Sequence, residues 1–137
     1  MGQVPQAVHC EESAEDNVGL TIRDAGTADA PAIAYAAACA NLDGVDLYGH
    51  SAVLFDGTFY REDELVRLGL SKAVAKDMAH MPISGETGSL ALLASLKARK
   101  IYTHVNNTNP ILAPSEERRA VEAAGWEVAF DGMEITP

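Results

Sequence analysis

Lys100-Ile101-Tyr102-Thr103-His104-Val105-Asn106-Asn107-Thr108-Asn109-Pro110 decides how this chain is read. Ile101 to Val105 predicts a short buried strand. An imidazole sits near its end, and polar, turn-forming side chains follow at once. A strand that delivers a histidine into a rigid polar loop suits a metal ligand or a proton-transfer group. Asn-Pro is also an ordinary turn signal, so a plain strand-to-turn junction would explain a lone histidine. Two loops upstream change that balance. Asp56-Gly57-Thr58 carries a carboxylate, and His80-Met81-Pro82-Ile83-Ser84-Gly85 carries a second imidazole.

Outward from this segment, strands alternate with helices, which predicts an α/β layered fold. Val18 to Ile22 alternates like a strand, and Arg23 to Pro31 is a turn region. Ala32 to Ala37 is a second apolar run. Its alanines also allow a helix, but its length and flanking turns favour a strand. Ser51 to Phe55 is continuously apolar, as in a strand covered on both faces. Glu62 to Leu68 predicts a short helix with Gly69 past its end, and Ser71 is a candidate cap for another reaching Met78. Thr87 to Leu96 predicts a helix with Leu90, Leu93 and Ala94 at core spacing. Ser115 caps a helix from Glu116 to Ala124, with acids in its first turn and Gly125 beyond it. Trp126 to Phe130 is a last strand, with Trp126 as a core anchor, and Asp131-Gly132 is a turn.

Composition narrows the function. The chain has 137 residues and is 47% apolar, which suits one globular domain. Twenty acidic against ten basic residues leave a formal charge of −10, which opposes nucleic-acid binding. Lys97, Arg99 and Lys100 form the compact basic group and read as a solvated face. Cys10 and Cys39 make no disulfide framework, so a reduced, cytoplasmic setting is expected. Residues 1–17 are acidic, lack a signal-peptide pattern and read as a loop lead-in; the adjacent His9 and Cys10 are too few for a metal site. Pro31 to Ala40, the longest apolar-rich run, is too short to span a bilayer, so no membrane insertion is expected.

Several stretches together resemble the pyrroloquinoline quinone (PQQ) biosynthesis protein B family. They are Asp16 to Ile22, Leu54-Phe55-Asp56-Gly57-Thr58-Phe59, His80 to Gly85, His104-Val105-Asn106-Asn107-Thr108-Asn109-Pro110, and Gly125-Trp126-Glu127-Val128 through Ile135. The resemblance implies a metallo-β-lactamase-like αββα sandwich. It also implies that residues 18–137 are only the C-terminal half of it, a truncated or split form. The histidine-rich metal motif of that superfamily's first half is absent here.

The second half of the pattern is similar to the tRNA 3′-processing nuclease branch. That similarity puts Asp56 and His80 in the roles of a proton relay and His104 in that of a metal ligand. Asn106, Asn107 and Asn109 are expected at a bound cofactor. The superfamily's metal-bridging aspartate has no counterpart in Tyr35-Ala36-Ala37-Ala38-Cys39-Ala40. One divalent metal, iron(II) or zinc, therefore suits the remaining ligands better than two, the other ligands coming from the N-terminal half. Cys39 is an alternative thiolate ligand, and a buried structural cysteine is the simpler reading. His50 reads as a surface histidine.

The implied activity is metal-dependent hydroxylation of a tyrosine-derived precursor in PQQ biosynthesis, with this half inactive alone. The partners implied are PQQ or its precursor, and a chain supplying the first half. The alternative is a carrier that moves PQQ or its precursor towards the periplasm, which needs a pocket and no relay. A nuclease of the same fold is opposed by the acidic charge.

Overall fold

The structure is a computed structural model that describes residues 19–23 and 32–136. Five strands form one sheet in sequence order: β1 (Leu20–Ile22), β2 (Ile33–Ala36), β3 (Ala52–Asp56), β4 (Arg99–Thr103) and β5 (Trp126–Val128). β1 pairs antiparallel with β2, and β2 to β5 run parallel. Parallel neighbours need crossovers. β3 reaches β4 through α1 (Glu64–Arg67), a 3-10 turn at Ala75–Met78 and α2 (Ser89–Leu92). β4 reaches β5 through a 3-10 turn at Pro110–Leu112 and α3 (Glu116–Ala123). The chain is thus mixed α/β, as the strand–helix alternation predicts. Among the described residues, no helix is long and apolar enough to cross a membrane.

Register sorts the side chains onto two faces. Ala34, Val53, Lys100 and Trp126 form one cross-strand row, and Ala36, Phe55, Tyr102 and Val128 form another on the same face. Met81, Ile83, Leu93, Leu96, Ile111 and Val121 join this face in the core. Trp126 stacks on Tyr102 with centroids 4.0 Å apart and meets Phe55 edge-on at 6.4 Å. It is the anchor its sequence context predicts. The opposite face carries Leu20, Ile22, Ile33, Tyr35, Ala52, Leu54 and Ile101 by the same register. There Leu20 and Ile22 are 56% and 52% exposed, and Tyr35 and Leu54 are half-buried.

Several boundaries differ from the sequence expectation. The His104 strand runs from Arg99 to Thr103, two residues upstream of Ile101–Val105. His104 takes φ 55, and that left-handed backbone ends the strand. Arg99 lies inside the ladder, where its guanidinium donates to both carboxylate oxygens of Glu127 at 2.7 and 2.9 Å. This holds Glu127 below the usual carboxylate range, although both groups are exposed and solvent screening leaves such a pair little effect on stability. The helix expected over Thr87–Leu96 is only Ser89–Leu92. Beyond it, tighter i→i+3 bonds (Ala94 N to Ala91 O, Leu96 N to Leu93 O) turn Leu93 and Leu96 inward and leave Ala94 exposed.

Ser71 caps no helix. Its hydroxyl accepts from Ala73 N in a local turn, and the 3-10 turn begins four residues later. The Glu62–Leu68 helix shrinks to α1, and Trp126–Phe130 to β5. β2 and β3 lie within a residue or so of their expected spans. α3 forms almost as predicted, with Ser115 Oγ accepting from Arg118 N at 3.0 Å and Gly125 at φ +84 past its end. The lead-in, His9, Cys10 and Val18 lie outside the described residues.

The half-open face generates a prediction. About a kilocalorie or more of transfer free energy per large side chain favours covering Leu20, Ile22, Tyr35 and Leu54. The isolated chain is expected to self-associate, or to need a second sheet to remain soluble. Sedimentation velocity over a concentration series checks this; a monodisperse monomer that unfolds cooperatively would contradict it.

Candidate metal and proton-transfer site

The site lies at the carboxyl ends of the parallel strands, where layered α/β folds gather chemistry. β3 ends on Asp56, which is fully buried. The chain then folds back on β4: Gly57 N donates to Thr103 O at 2.8 Å. A Cβ at position 57 would lie 2.9 Å from both Thr103 O and Tyr102 Cβ, which explains the glycine. His104 follows β4 directly. The third loop is tied down by backbone bonds, Met81 N to Cys39 O (2.6 Å), Ile83 N to Phe59 O (3.0 Å) and Ser84 N to Tyr60 O (2.9 Å). Left-handed Ala79 turns His80 into the cluster. Asp56, His80 and His104, the three residues picked from separate loops, offer ligand-type atoms within 4.8 Å of one another.

The carboxylate of Asp56 accepts four hydrogen bonds. Oδ2 takes Cys39 N–H at 3.0 Å and His80 Nδ1–H at 2.8 Å. Oδ1 takes Thr58 N–H at 3.0 Å and the Thr58 hydroxyl at 2.7 Å. These four donors account for the lone pairs a carboxylate offers, so none remains for a cation. Asp56 therefore orients an imidazole. With Nδ1–H of His80 spent on Asp56, its Nε2 carries a lone pair. Phe59, buried, meets the His80 ring edge-on at 5.8 Å, and the His104 ring stacks on it at 5.5 Å. His80 is thus walled on two sides. His104 Nδ1 lies 2.8 Å from Thr58 Oγ1.

Two participants escape the sequence reading. Thr58 bonds both Asp56 and His104, and its Asp-x-Thr spacing was the available signal, since Asp side chains commonly bond the backbone two residues on. The other is the amide of Cys39. It is a backbone group, so no residue type announces it. The Cys39 thiol itself points elsewhere, 3.8 Å from Ala36 O. Burial, and next the negative charge of Asp56, push its pKa up to about 12. That is a poor state for a thiolate ligand and fits the structural reading.

The asparagine loop is a brace. Asn109, buried, donates Nδ2 to Gly57 O at 2.8 Å, and its Oδ1 accepts from Ile111 N at 3.1 Å. Asn106 donates its amide N–H to Thr58 O at 3.1 Å and its Nδ2 to Thr108 Oγ1 at 2.6 Å. Thr108 in turn donates to buried Glu64, whose other oxygen accepts from Tyr60 N. The side chains of Asn106 and Asn109, expected at a cofactor, are thereby occupied within the protein; Asn107 is exposed. His50 sits at the other end of the sheet, half-buried, bonded to Tyr48 O and Thr21 Oγ1.

Two outcomes follow from this packing. Gly57→Ala forces its new methyl against Thr103 O and Tyr102 Cβ and should cost about 1–3 kcal/mol, measurable by denaturant unfolding of the protein in its assembled form; an unchanged midpoint would show the contact to be slack. Cys39 should resist iodoacetamide at pH 8 in the native state and label readily in urea, read by peptide mass mapping. Rapid native labelling would contradict its burial.

No family model matches the chain. It is 45% identical over 129 residues to coenzyme PQQ synthesis protein B of Xanthomonas campestris, covering 90% of this chain and 42% of that protein. It is 44% identical over 126 residues to the protein of that name from Rhodopseudomonas palustris, covering 88% and 40%. A crystal structure of zinc-bound PqqB from Methylobacterium extorquens matches with a TM-score of 0.76 and 39% identity, over 84% of this chain and 42% of that one. The chain therefore spans about two-fifths of the length of the relatives it matches. Its sheet and crossovers have the metallo-β-lactamase-like fold of that structure. Over the stretch that it spans, the chain is a homologue of coenzyme PQQ synthesis protein B.

Proposed function

We propose that this chain is part of a metal-dependent enzyme of PQQ biosynthesis, in which His104 holds one divalent cation and the Asp56–His80 pair handles protons. The observation that carries the reading is the hydrogen-bonded Asp56–His80 pair beside His104. A carrier needs a pocket, but it has no use for a buried carboxylate that fixes the tautomer of an imidazole. The relatives' role in PQQ synthesis supplies the pathway, and the zinc of the Methylobacterium protein supplies a precedent for the metal.

The residues fit a cation in a defined way. His104 has Nδ1 engaged, which leaves its Nε2 as the donor atom for a cation, and His80, with Nδ1–H on Asp56, keeps its own Nε2 for proton transfer. Asp56 has no lone pair to spare. At the position after β2 where a bridging carboxylate is expected, Cys39 offers only its backbone N–H, to Asp56. This supports one metal, zinc or iron(II), with further ligands from outside the chain. Asp56 leaves β3 on the sheet face shared by Leu20, Ile22, Tyr35 and Leu54. Whatever covers that face, a partner chain or the rest of a longer one, also reaches the site.

A bound divalent cation would polarise the substrate or an oxygen ligand. Around it, His80 Nε2 accepts or returns a proton, and Asp56 stabilises the imidazolium that results. Phe59 shields one edge of that ring from water. Asn107, exposed in the same loop, is the amide left free to face a substrate. The substrate proposed is the tyrosine-derived precursor of the quinone, and the reaction its hydroxylation; this would need iron(II) rather than redox-inert zinc, dioxygen as the oxidant that supplies the oxygen atom, and an external two-electron donor to reduce the other oxygen atom to water. The free, buried Cys39 suits the reduced cytoplasmic setting expected from the sequence.

The test is metal content and turnover of the complete protein that carries this chain. His104→Ala should lose the metal and the activity together. Asp56→Asn should keep the metal and lower turnover about 10²–10⁴-fold. Undiminished turnover after His104→Ala would overturn the assignment, and product binding without metal-dependent turnover would restore the carrier.

A further inference from the structure

One hydroxyl joins the relay to the metal ligand. Thr58 Oγ1 lies 2.7 Å from Asp56 Oδ1, 2.8 Å from His104 Nδ1, 3.1 Å from His104 O and 3.2 Å from His80 Nδ1. A hydroxyl has one proton and two lone pairs. The shortest contact is to a carboxylate oxygen, which can only accept, so the proton goes to Asp56. The contact to His104 Nδ1 must then run the other way, with Nδ1–H donating into a lone pair of Thr58. That choice fixes the tautomer of His104 and leaves the lone pair on Nε2.

We propose that Thr58 is the positioning residue of His104, holding its ring in the Nδ1–H tautomer through a hydroxyl that Asp56 itself orients. Asp56 thereby sets both imidazoles, His80 directly and His104 through one intervening oxygen. The backbone adds its own constraint. His104 is one of two non-glycine residues with positive φ among the described residues, and Ala79, just before His80, is the other. Such a conformation persists where neighbouring contacts over-determine it. The Thr58 hydroxyl supplies such a contact to the His104 side chain, while Asn106 N–H and Asn109 Nδ2 hold the Thr58 carbonyl from the other flank.

Serine carries the same hydroxyl, whereas valine has nearly the same shape without it. Thr58→Val leaves Asp56 Oδ1 with one donor and removes the acceptor of His104 Nδ1–H. Thr58→Ser keeps both bonds. The inference rests on His104 being the metal ligand for its consequence, but the tautomer exists without metal, so the two can fail separately.

The experiment uses the complete protein carrying this chain, metal-stripped, with its histidines labelled with ¹⁵N. Ring nitrogen shifts should report Nδ1 protonated and Nε2 bare at His104 in the unsubstituted protein and in Thr58→Ser. Thr58→Val should give a mixture of tautomers. Zinc affinity, measured by chelator competition, should fall about 10- to 100-fold in Thr58→Val and within severalfold of normal in Thr58→Ser. An Nε2–H tautomer at His104 in the unsubstituted protein overturns the proposal without any variant. Equal zinc loss in the serine and valine variants overturns it too, since that would mean bulk and not the hydroxyl matters. A retained Nδ1–H tautomer in Thr58→Val also overturns it, whereas the expected tautomers in all three forms with no zinc binding in any of them would leave Thr58 in its role and remove His104 from the metal.

Discussion

Four hydrogen bonds converge on one buried carboxylate, and the arrangement of the site follows from that. Asp56 is fully buried, and among the described residues its ion-pair partner is His80. A buried carboxylate left short of donors costs several kcal/mol, so the chain is obliged to supply them. It does so from three sequence-distant places: the backbone after β2, the turn after β3 and the loop before α2. Removing any one leaves a deficit, and this couples the three loops into one unit. The asparagine brace acts on the same unit from behind, through the carbonyls of Gly57 and Thr58.

The consequence for chemistry is a division of labour between neighbouring side chains. A carboxylate saturated by donors is a poor ligand and a good orienter. The imidazoles gain what it gives up, each with one nitrogen committed and the other available. A half-open sheet face lies beside the cluster.

The sequence discloses some of this and conceals the rest for definite reasons. Strands of a parallel sheet read as apolar runs, so β2 and β3 were legible to within a residue or so. α3 was legible because Ser115, Glu116, Glu117 and Gly125 mark its ends chemically. Asp56, His80 and His104 stood out as the carboxylate and imidazoles of three separate loops, two of them at strand ends and one before α2. Boundaries failed where backbone conformation, and not residue type, decides: left-handed His104 ends β4 at Thr103, and i→i+3 bonds after Leu92 end the helix expected to Leu96. Thr58 was visible as a letter but not as a bond, since a hydroxyl's partners are set by tertiary approach. The Asn106 and Asn109 side chains, prominent in the sequence, turn inward because the turn behind β3 leaves carbonyls that need donors.

The most direct measurement is anomalous diffraction at the zinc edge from crystals of the zinc-loaded, complete protein. The account predicts a zinc ion about 2.0–2.1 Å from His104 Nε2, with Asp56 still bonded to Cys39 N, Thr58 and His80 and touching no metal. A zinc ion on an Asp56 oxygen, on Nδ1 of His104, or absent from this loop cluster would contradict it.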